Sequence, residues 1–387
     1  MAQFLKNWRS YRAFRKLPRA SRRIVVFSES AQDWHHMRDM IAELTGRLDQ
    51  VICYVASTPD DPGLRQDNSN ILPFCIGDGF WRILWCQTLD ADLMLTQLLD
   101  LDNLDLKRSV NPVHYVFMFH SLVSTHMADH ADSYDHYDTI LCAGPHHERE
   151  IRRREALEDL PKKTLLPHGY ARLEQLLADR REPPPIVGKE DIHVLLAPSW
   201  GDQSILNAFG LELSTVLLDA GFRLTLRPHF QTRWQTPEVI DRIVARHRDN
   251  PRFRLVEQMS ESDSLFDSHV MITDWSGAGM DYGFGLEKPV LYFDVPPKSR
   301  NDSWQALGID PFEMQVRDKL GRLLPPGAVD DAPQVVRELV AEPDAFRRGV
   351  QALRSEWVYN LGTSAAVGAD AVKAIAERLV AERDSAS

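Results

Sequence analysis

From residue 24 onward, short apolar runs alternate with longer amphipathic stretches, the pattern of parallel strands joined by helical crossovers. The runs at 24–27, 51–55, 115–119 and 139–143 are apolar and closed by polar or glycine-containing loops, so they predict buried strands, with a first crossover helix over 34–47. Residues 180–188 interrupt this rhythm with charge, three prolines and a glycine, and read as a linker. The alternation then restarts. Strands are predicted at 193–197, 223–226, 252–256, 270–273 and 290–293, and helices at 203–219, 237–248 and 276–286. Three helical pieces follow from about 332 to 383, with Pro343 after the first and Gly362 before the last. The expected organisation is an N-terminal segment 1–23, an α/β domain 24–180, a linker 181–189, a second α/β domain 190–330 and C-terminal helices 331–387. Two doubly wound domains in succession are expected to face each other across a cleft at the carboxyl ends of their strands, where ligands bind.

The first 23 residues follow a different period. Phe4, Leu5, Trp8, Tyr11 and Phe14 recur at spacings of three and four, which predicts a helix that Pro18 ends. Around them stand Lys6, Arg9, Arg12, Arg15, Lys16, Arg19, Arg22 and Arg23, with no acid before Glu29, so residues 1–28 carry +8 in a chain whose net charge is −11. Such a helix suits an anionic membrane surface, or it is a basic leader docked on the acidic remainder of the protein. The acidic balance argues against nucleic acid as a partner. No apolar run reaches the roughly 18–20 residues needed to span a bilayer, and the arginines continue where a signal peptide would turn apolar. The expected location is therefore the cytoplasm, peripheral on the inner face of the plasma membrane.

At 387 residues, 43% of them hydrophobic, each domain can bury a core without a disulfide or structural metal. Cys53, Cys75, Cys86 and Cys142 form no Cys-x-x-Cys pair and lie in apolar segments, so no chemistry is assigned to them. Seven histidines crowd between His114 and His147. His126 and His130, at i and i+4, would form half of a metal site if that stretch were helical, but no further ligand stands at a persuasive spacing and no metal is expected.

Four loops place polar residues directly after an apolar strand, where α/β folds carry their sites. In the first, His120 ends a buried run and is followed by Ser121 and Ser124. It suits a general base acting on an incoming hydroxyl, or a histidine bonded to backbone. In the second, Pro198 and Gly201 shape a turn in which Ser199 and the following amides meet an anion or cap the next helix. In the third, Arg227 and His229 flank Pro228, a cation and a donor suited to a diphosphate. The fourth is the most specific: Thr273 and Asp274 run into Ser276-Gly277-Ala278-Gly279, small residues that let backbone approach a phosphate, with Asp281 one turn on. Its spacing is neither a Walker loop nor a dinucleotide fingerprint.

The stretch from Ser264 through Asp274, Ser276, Asp281 and Tyr282 to Lys288-Pro289 and Asp294 resembles the CDP-glycerol glycerophosphotransferase family of teichoic-acid and capsule polymerases. The family's aspartate-tyrosine-serine-serine turn is matched at Asp274 and Ser276, while Trp275 stands for the tyrosine and Gly277 for the second serine. Phe119-His120-Ser121-Leu122, Leu196-Ala197-Pro198-Ser199-Trp200, Arg227-Pro228-His229 and His168-Gly169-Tyr170-Ala171-Arg172 resemble further family elements in the same order, over about residues 110–300. The resemblance implies a GT-B fold of two Rossmann-like domains. It also implies transfer of a glycerol phosphate or similar polyol phosphate from a CDP-activated donor to the hydroxyl of a lipid-linked or oligosaccharide acceptor, with no cofactor and no metal. His120 would be the acceptor-side base, with Ser121 and Ser124 beside it. His229 would be the second catalytic residue, and Arg227, Ser199, Thr273, Asp274, Ser276, Gly277, Ala278 and Asp281 would hold the donor phosphates. The departures at Gly277 and after His120 keep a nucleotide-sugar glycosyltransferase as the alternative. Two other classes remain: a metal-dependent hydrolase built on the His114–His147 cluster, and a non-catalytic docking protein that keeps the fold.

Overall fold

A computed structural model describes residues 2–103, 106–256 and 263–386 and divides into two compact units. Unit 1 comprises Met1–Arg172, Arg300–Ile309 and Trp357–Ser387; unit 2 comprises Leu173–Ser299 and Asp310–Glu356.

Unit 1 is built on seven parallel strands: β1 (Ile24–Ser28), β2 (Ile52–Ala56), β3 (Ile71–Cys75), β4 (Leu93–Thr96), β5 (His114–Met118), β6 (Thr139–Cys142) and β7 (Thr164–Pro167). Their order is β3-β2-β1-β4-β5-β6-β7, so the winding reverses between β1 and β4. β1 pairs with both, Ile24 standing opposite Ile52 on one side and Leu93 on the other. A parallel sheet is covered on both faces, which is why β1, β2, β4 and β6 are buried at every position. On one face, Met37, Met40 and Ile41 of helix Trp34–Ala42 pack with Ala369, Val372 and Ile375 of helix Ser364–Ala386.

The N-terminal segment is part of this unit. Helix Ala2–Lys16 buries Tyr11 and Phe14; the Phe14 ring meets Phe74 and Trp85 edge-on at 5.5 Å, and Tyr11 Oη lies 3.1 Å from Thr88 Oγ1. Burial of Phe14 alone contributes about 2–3 kcal/mol. Arg19 and Arg22 pair with Asp90, and Arg19 also with Asp92. Docking on the protein's own surface thus buries two of the five residues of the apolar stripe and pairs two of the cations. Phe4, Leu5 and Phe80 remain exposed, the rings of Phe4 and Phe80 both meeting Trp81 at 5.1 Å, together with Lys6, Arg9, Arg12 and Lys16.

Unit 2 carries six parallel strands: β8 (His193–Leu196), β9 (Arg223–Leu226), β10 (Phe253–Leu255), β11 (Val270–Thr273), β12 (Val290–Phe293) and β13 (Gly321–Leu324), ordered β10-β9-β8-β11-β12-β13. Here the winding reverses between β8 and β11. Helices Ile205–Asp219 and Pro237–His247 cover the sheet through Leu213, Leu217, Ile240 and Ile243. The proline-rich segment, read above as a linker, is strapped to this unit: Arg347 pairs with Glu182, His269 Nε2 donates to Pro184 O, and the Val187 and Gly188 amides donate to Asp191. The helices past residue 331 divide between the units. Ala332–Ala341 and most of Pro343–Trp357 belong to unit 2, and Ser364–Ala386 to unit 1.

Four strands were not anticipated from the pattern, and three of them lie at sheet edges. β3 contains Pro73 and β7 ends on Pro167, and an edge strand tolerates proline because one side of its backbone needs no ladder partner. β13 is half exposed, and its Gly321 leaves no room for a Cβ against Val290 O. The fourth, β4, is central but only four residues long, and it merges in sequence with the apolar Leu98 and Leu99 that follow it.

Candidate active site

Each sheet has a cavity at its own point of reversal, beyond the carboxyl ends of its strands, where a doubly wound fold leaves neighbouring loops splayed apart. In unit 1 a cavity of about 420 Å³ is bounded by Glu29 and Asp33 after β1, Gln97 to Asp100 after β4, and His120 after β5, with Arg82, Leu106 and Arg300. In unit 2 a cavity of about 200 Å³ is bounded by Ser199 to Ser204 after β8, Trp275 after β11, and Val295 to Ser299 after β12.

His120 is where the sequence placed it. Burial lowers its pKa, so the imidazole is neutral at pH 7, and its buried Nδ1 meets no partner among the described residues. Its ring lies 5.7 Å from that of His36, whose pKa burial and the neighbouring His120 hold down at about 3. Asp33 moves the other way, pushed up to about 6 by burial although its carboxylate accepts from the Glu29 and Ser30 amides. Beside them, Glu29 and Arg82 pair at 3.1 Å. Gln97 is 6% exposed and both polar atoms of its amide lack a partner among the described residues, a state that costs about 1–3 kcal/mol per unmet group. Ser124 is fully buried, and Ser121 is half-buried and off the lining, so neither joins His120 at the cavity.

The crowded histidines have another task. Residues 119–137 form turns, not the helix that would align His126 with His130. His146 Nε2 donates to Leu122 O at 2.9 Å and His147 Nε2 to Val123 O at 3.0 Å, while Glu150 accepts from the amide and hydroxyl of Thr125. Helix Pro145–Leu157 therefore pins the loop that carries His120 at three successive points. His126 Nε2 donates to Ile309 O and His114 Nε2 bonds Thr139. Among the described residues no three His, Cys, Asp or Glu side chains are placed to hold a metal ion, and His126, His146 and His147 of the cluster are bonded to backbone carbonyls. Burial raises all four thiols, those of Cys53 and Cys86 to about 12, in keeping with cysteines that do no chemistry.

In unit 2 the predicted phosphate residues separate into those that reach solvent and those that build the loop. Asp274 is fully buried: its Oδ1 accepts from the Ser199 amide at 2.7 Å and its Oδ2 from the Ile205 amide at 3.0 Å. It thereby caps helix Ile205–Asp219 and joins the loops after β8 and β11. Thr273, also fully buried, donates to Ala197 O at 2.7 Å. Both act as positioning residues, and neither is open to a donor phosphate. Ser276 accepts from the Ala278 amide at 3.3 Å, so that amide has an internal partner, and a Cβ at Gly279 would press on Thr273 and Tyr292. Part of this turn's smallness thus serves packing. Ser276, Gly277 and Asp281 are half-buried and Ala278 is exposed.

Lys298 and Arg317 were not singled out from the sequence. Lys298 Nζ lies 3.5 Å from the ring centre of Trp200, and the same indole stacks on His229 at 6.1 Å. Arg317 Cζ lies 3.5 Å over Trp275, whose Nε1 donates to Val295 O, and Arg317 pairs with Asp294. His229 Nδ1 accepts from the Gln231 amide at 3.1 Å, capping helix Phe230–Gln235, and burial with Lys298 nearby lowers its pKa to about 4. The neutral ring then carries its proton on Nε2 and acts as a donor. Arg227 is half-buried at the end of β9, and Ser199 lines the cavity. A Pro-Pro-Lys sequence two residues past an apolar strand, at 296–298, is the signal that would have found Lys298.

No protein-family model and no curated protein matches this sequence. Solved structures do match its fold. The wall teichoic acid polymerase TagF is 14% identical with a TM-score of 0.55, over 97% of this chain and 94% of that one. The UDP-GlcNAc 2-epimerase of Methanocaldococcus jannaschii, solved with UDP-GlcNAc and UDP, is 10% identical with a TM-score of 0.57, over 91% and 99%. A glycosyltransferase from Rickettsia africae is 10% identical with a TM-score of 0.53, over 92% and 98%. The chain has the GT-B fold, two Rossmann-like units, and a teichoic acid polymerase is among the proteins that share it.

Proposed function

We propose that this protein is a transferase that moves a glycerol phosphate or similar polyol phosphate from a CDP-activated donor to an acceptor hydroxyl in the synthesis of a bacterial surface polymer. The observation that carries this is the complementary state of two neutral histidines at strand ends: His120 with an open nitrogen in one unit, and His229 with a fixed Nε2–H beside Lys298 in the other. The acceptor hydroxyl gives its proton to His120 while its oxygen bonds to the donor's outer phosphorus. The bond from that phosphorus to the bridging oxygen breaks, and CMP leaves with the electron pair. His229 Nε2–H and the cations Arg227 and Lys298 stabilise that charge, with Ser199 and the Ser276 turn alongside. No covalent intermediate is required. A nucleotide-sugar glycosyltransferase is the second reading, supported by the fold it shares with a glycosyltransferase. A screen of CDP-glycerol, CDP-ribitol and UDP-sugars for released nucleotide separates them: CMP release supports phosphotransfer, and UDP release from a UDP-sugar overturns it.

The acceptor of such an enzyme is lipid-linked or an oligosaccharide, and the exposed Phe4, Leu5 and Phe80 among Lys6, Arg9, Arg12 and Lys16 suit an anionic membrane surface. Among the described residues no helix is long and apolar enough to cross a membrane. Because Tyr11 and Phe14 belong to the core, truncation would unfold what it is meant to test. The triple change Phe4→Ser, Leu5→Ser and Phe80→Ser is expected to lower co-sedimentation with phosphatidylglycerol liposomes at least tenfold while leaving turnover on a soluble acceptor within about twofold. Undiminished sedimentation would remove the membrane from this proposal.

A further inference from the structure

Gln97 lines the unit 1 cavity, and proton transfer at His120 does not use it. Gln97 directly follows β4, and neither its Nε2 nor its Oε1 meets a partner among the described residues. The loop around it is otherwise tied down: the Leu98 amide donates to Thr96 Oγ1, Tyr137 Oη to Leu98 O, and Ser133 Oγ to Asp100 Oδ1. A buried amide held this way presents a donor and an acceptor side by side, and a hydroxyl, which both donates and accepts, is the simplest group to satisfy them. Charge narrows the class. Glu29, Asp33 and Asp100 face Arg82 and Arg300, and Arg82 is already paired with Glu29. That balance gives an anion no net attraction. A volume of about 420 Å³ is within the range of small-molecule sites.

We propose that this cavity takes a neutral polyol or sugar group and that Gln97 recognises one of its hydroxyls. Identifying that group as the acceptor's terminal unit rests on the transferase assignment above; the binding itself does not. Gln97 is then a specificity residue beside the base.

The test uses the full-length protein and the side-chain amide resonances of Gln97, assigned by their loss in Gln97→Leu. Glycerol and sorbitol are expected to shift these resonances saturably, while glycerol 3-phosphate binds no more tightly than glycerol. Gln97→Leu, with Gln97→Met as a second variant that keeps length without the amide, is expected to weaken polyol binding about tenfold, read from the remaining cavity resonances. An unshifted amide, or tighter binding of the phosphate, overturns the proposal. In turnover, the wild type should prefer glycerol over 1,2-propanediol as acceptor by about tenfold, and both variants should erase the preference without changing the donor KM. A preference that survives in both variants also overturns it. Saturable polyol binding with no transfer from any donor would sink the transferase assignment and leave this site standing.

Discussion

His120→Ala is expected to lower kcat/KM for nucleotide release by about 10²–10⁴-fold, the usual contribution of a positioned general base. The physical case is geometric first: the imidazole follows β5, one strand from the β1–β4 reversal, borders a cavity large enough for a substrate, and keeps a buried Nδ1 without a partner among the described residues. Its charge state agrees, because burial favours the neutral ring. The sign of the pH dependence follows. A base works when deprotonated, so activity should hold as pH falls from 8 to 6.5 and decline only below that, with an acid limb beneath the ordinary histidine pKa of about 6.5. The limb should be absent from the residual activity of His120→Ala, and added imidazole should restore part of the loss. Activity within threefold of wild type, with donor release intact, would move the base elsewhere.

Asp274→Ala is expected to be the most damaging single change in unit 2 for stability. It removes a fully buried carboxylate and strands the Ser199 and Ile205 amides that it holds. A hydrogen bond to a charged group contributes about 1.5–3 kcal/mol, so the pair accounts for about 3–6 kcal/mol. At about 2–4 °C per kcal/mol for a domain of 150–250 residues, the unit 2 transition in calorimetry should fall by roughly 6 °C or more. Asp274→Asn should lie between, since its oxygen can still accept one of the two bonds while its amide nitrogen faces the other donor. The loop carrying Trp200 loses its anchor at the same time, so the donor KM should rise in protein that remains folded. A unit 2 transition within 2 °C of wild type would show that the two amides find other partners.

These two residues mark different depths of sequence information. The place of His120 at a strand end was legible because a titratable side chain directly after five apolar residues is unusual, and its position depends on one strand only. Asp274 was legible as important but assigned the wrong task. The strand-to-small-residue pattern around it is the same whether its carboxylate faces a phosphate or two backbone amides, and the second amide, Ile205, lies 69 positions away in sequence. The seven clustered histidines show the same ambiguity. Crowding along the chain suggested ligands, whereas in space His146 and His147 each hold a separate carbonyl of the loop ahead of them.

By itself the sequence determined the fold class, the two-unit plan, nine of the strands and the strand-end loops, because burial of parallel strands forces continuous apolar runs and polar ends whatever surrounds them. Tertiary structure alone decided which strand-end groups share a cavity. Strand order is set by crossover handedness and packing of whole layers and leaves no local trace, so Gln97, after the unrecognised β4, emerges beside His120 only once β4 lies between β1 and β5. It also decided the fate of the basic leader. Its charge and period were plain in the sequence, but Tyr11 and Phe14 pack inward because Phe74, Trp85 and Thr88, some 60 to 77 residues downstream, present a matching face.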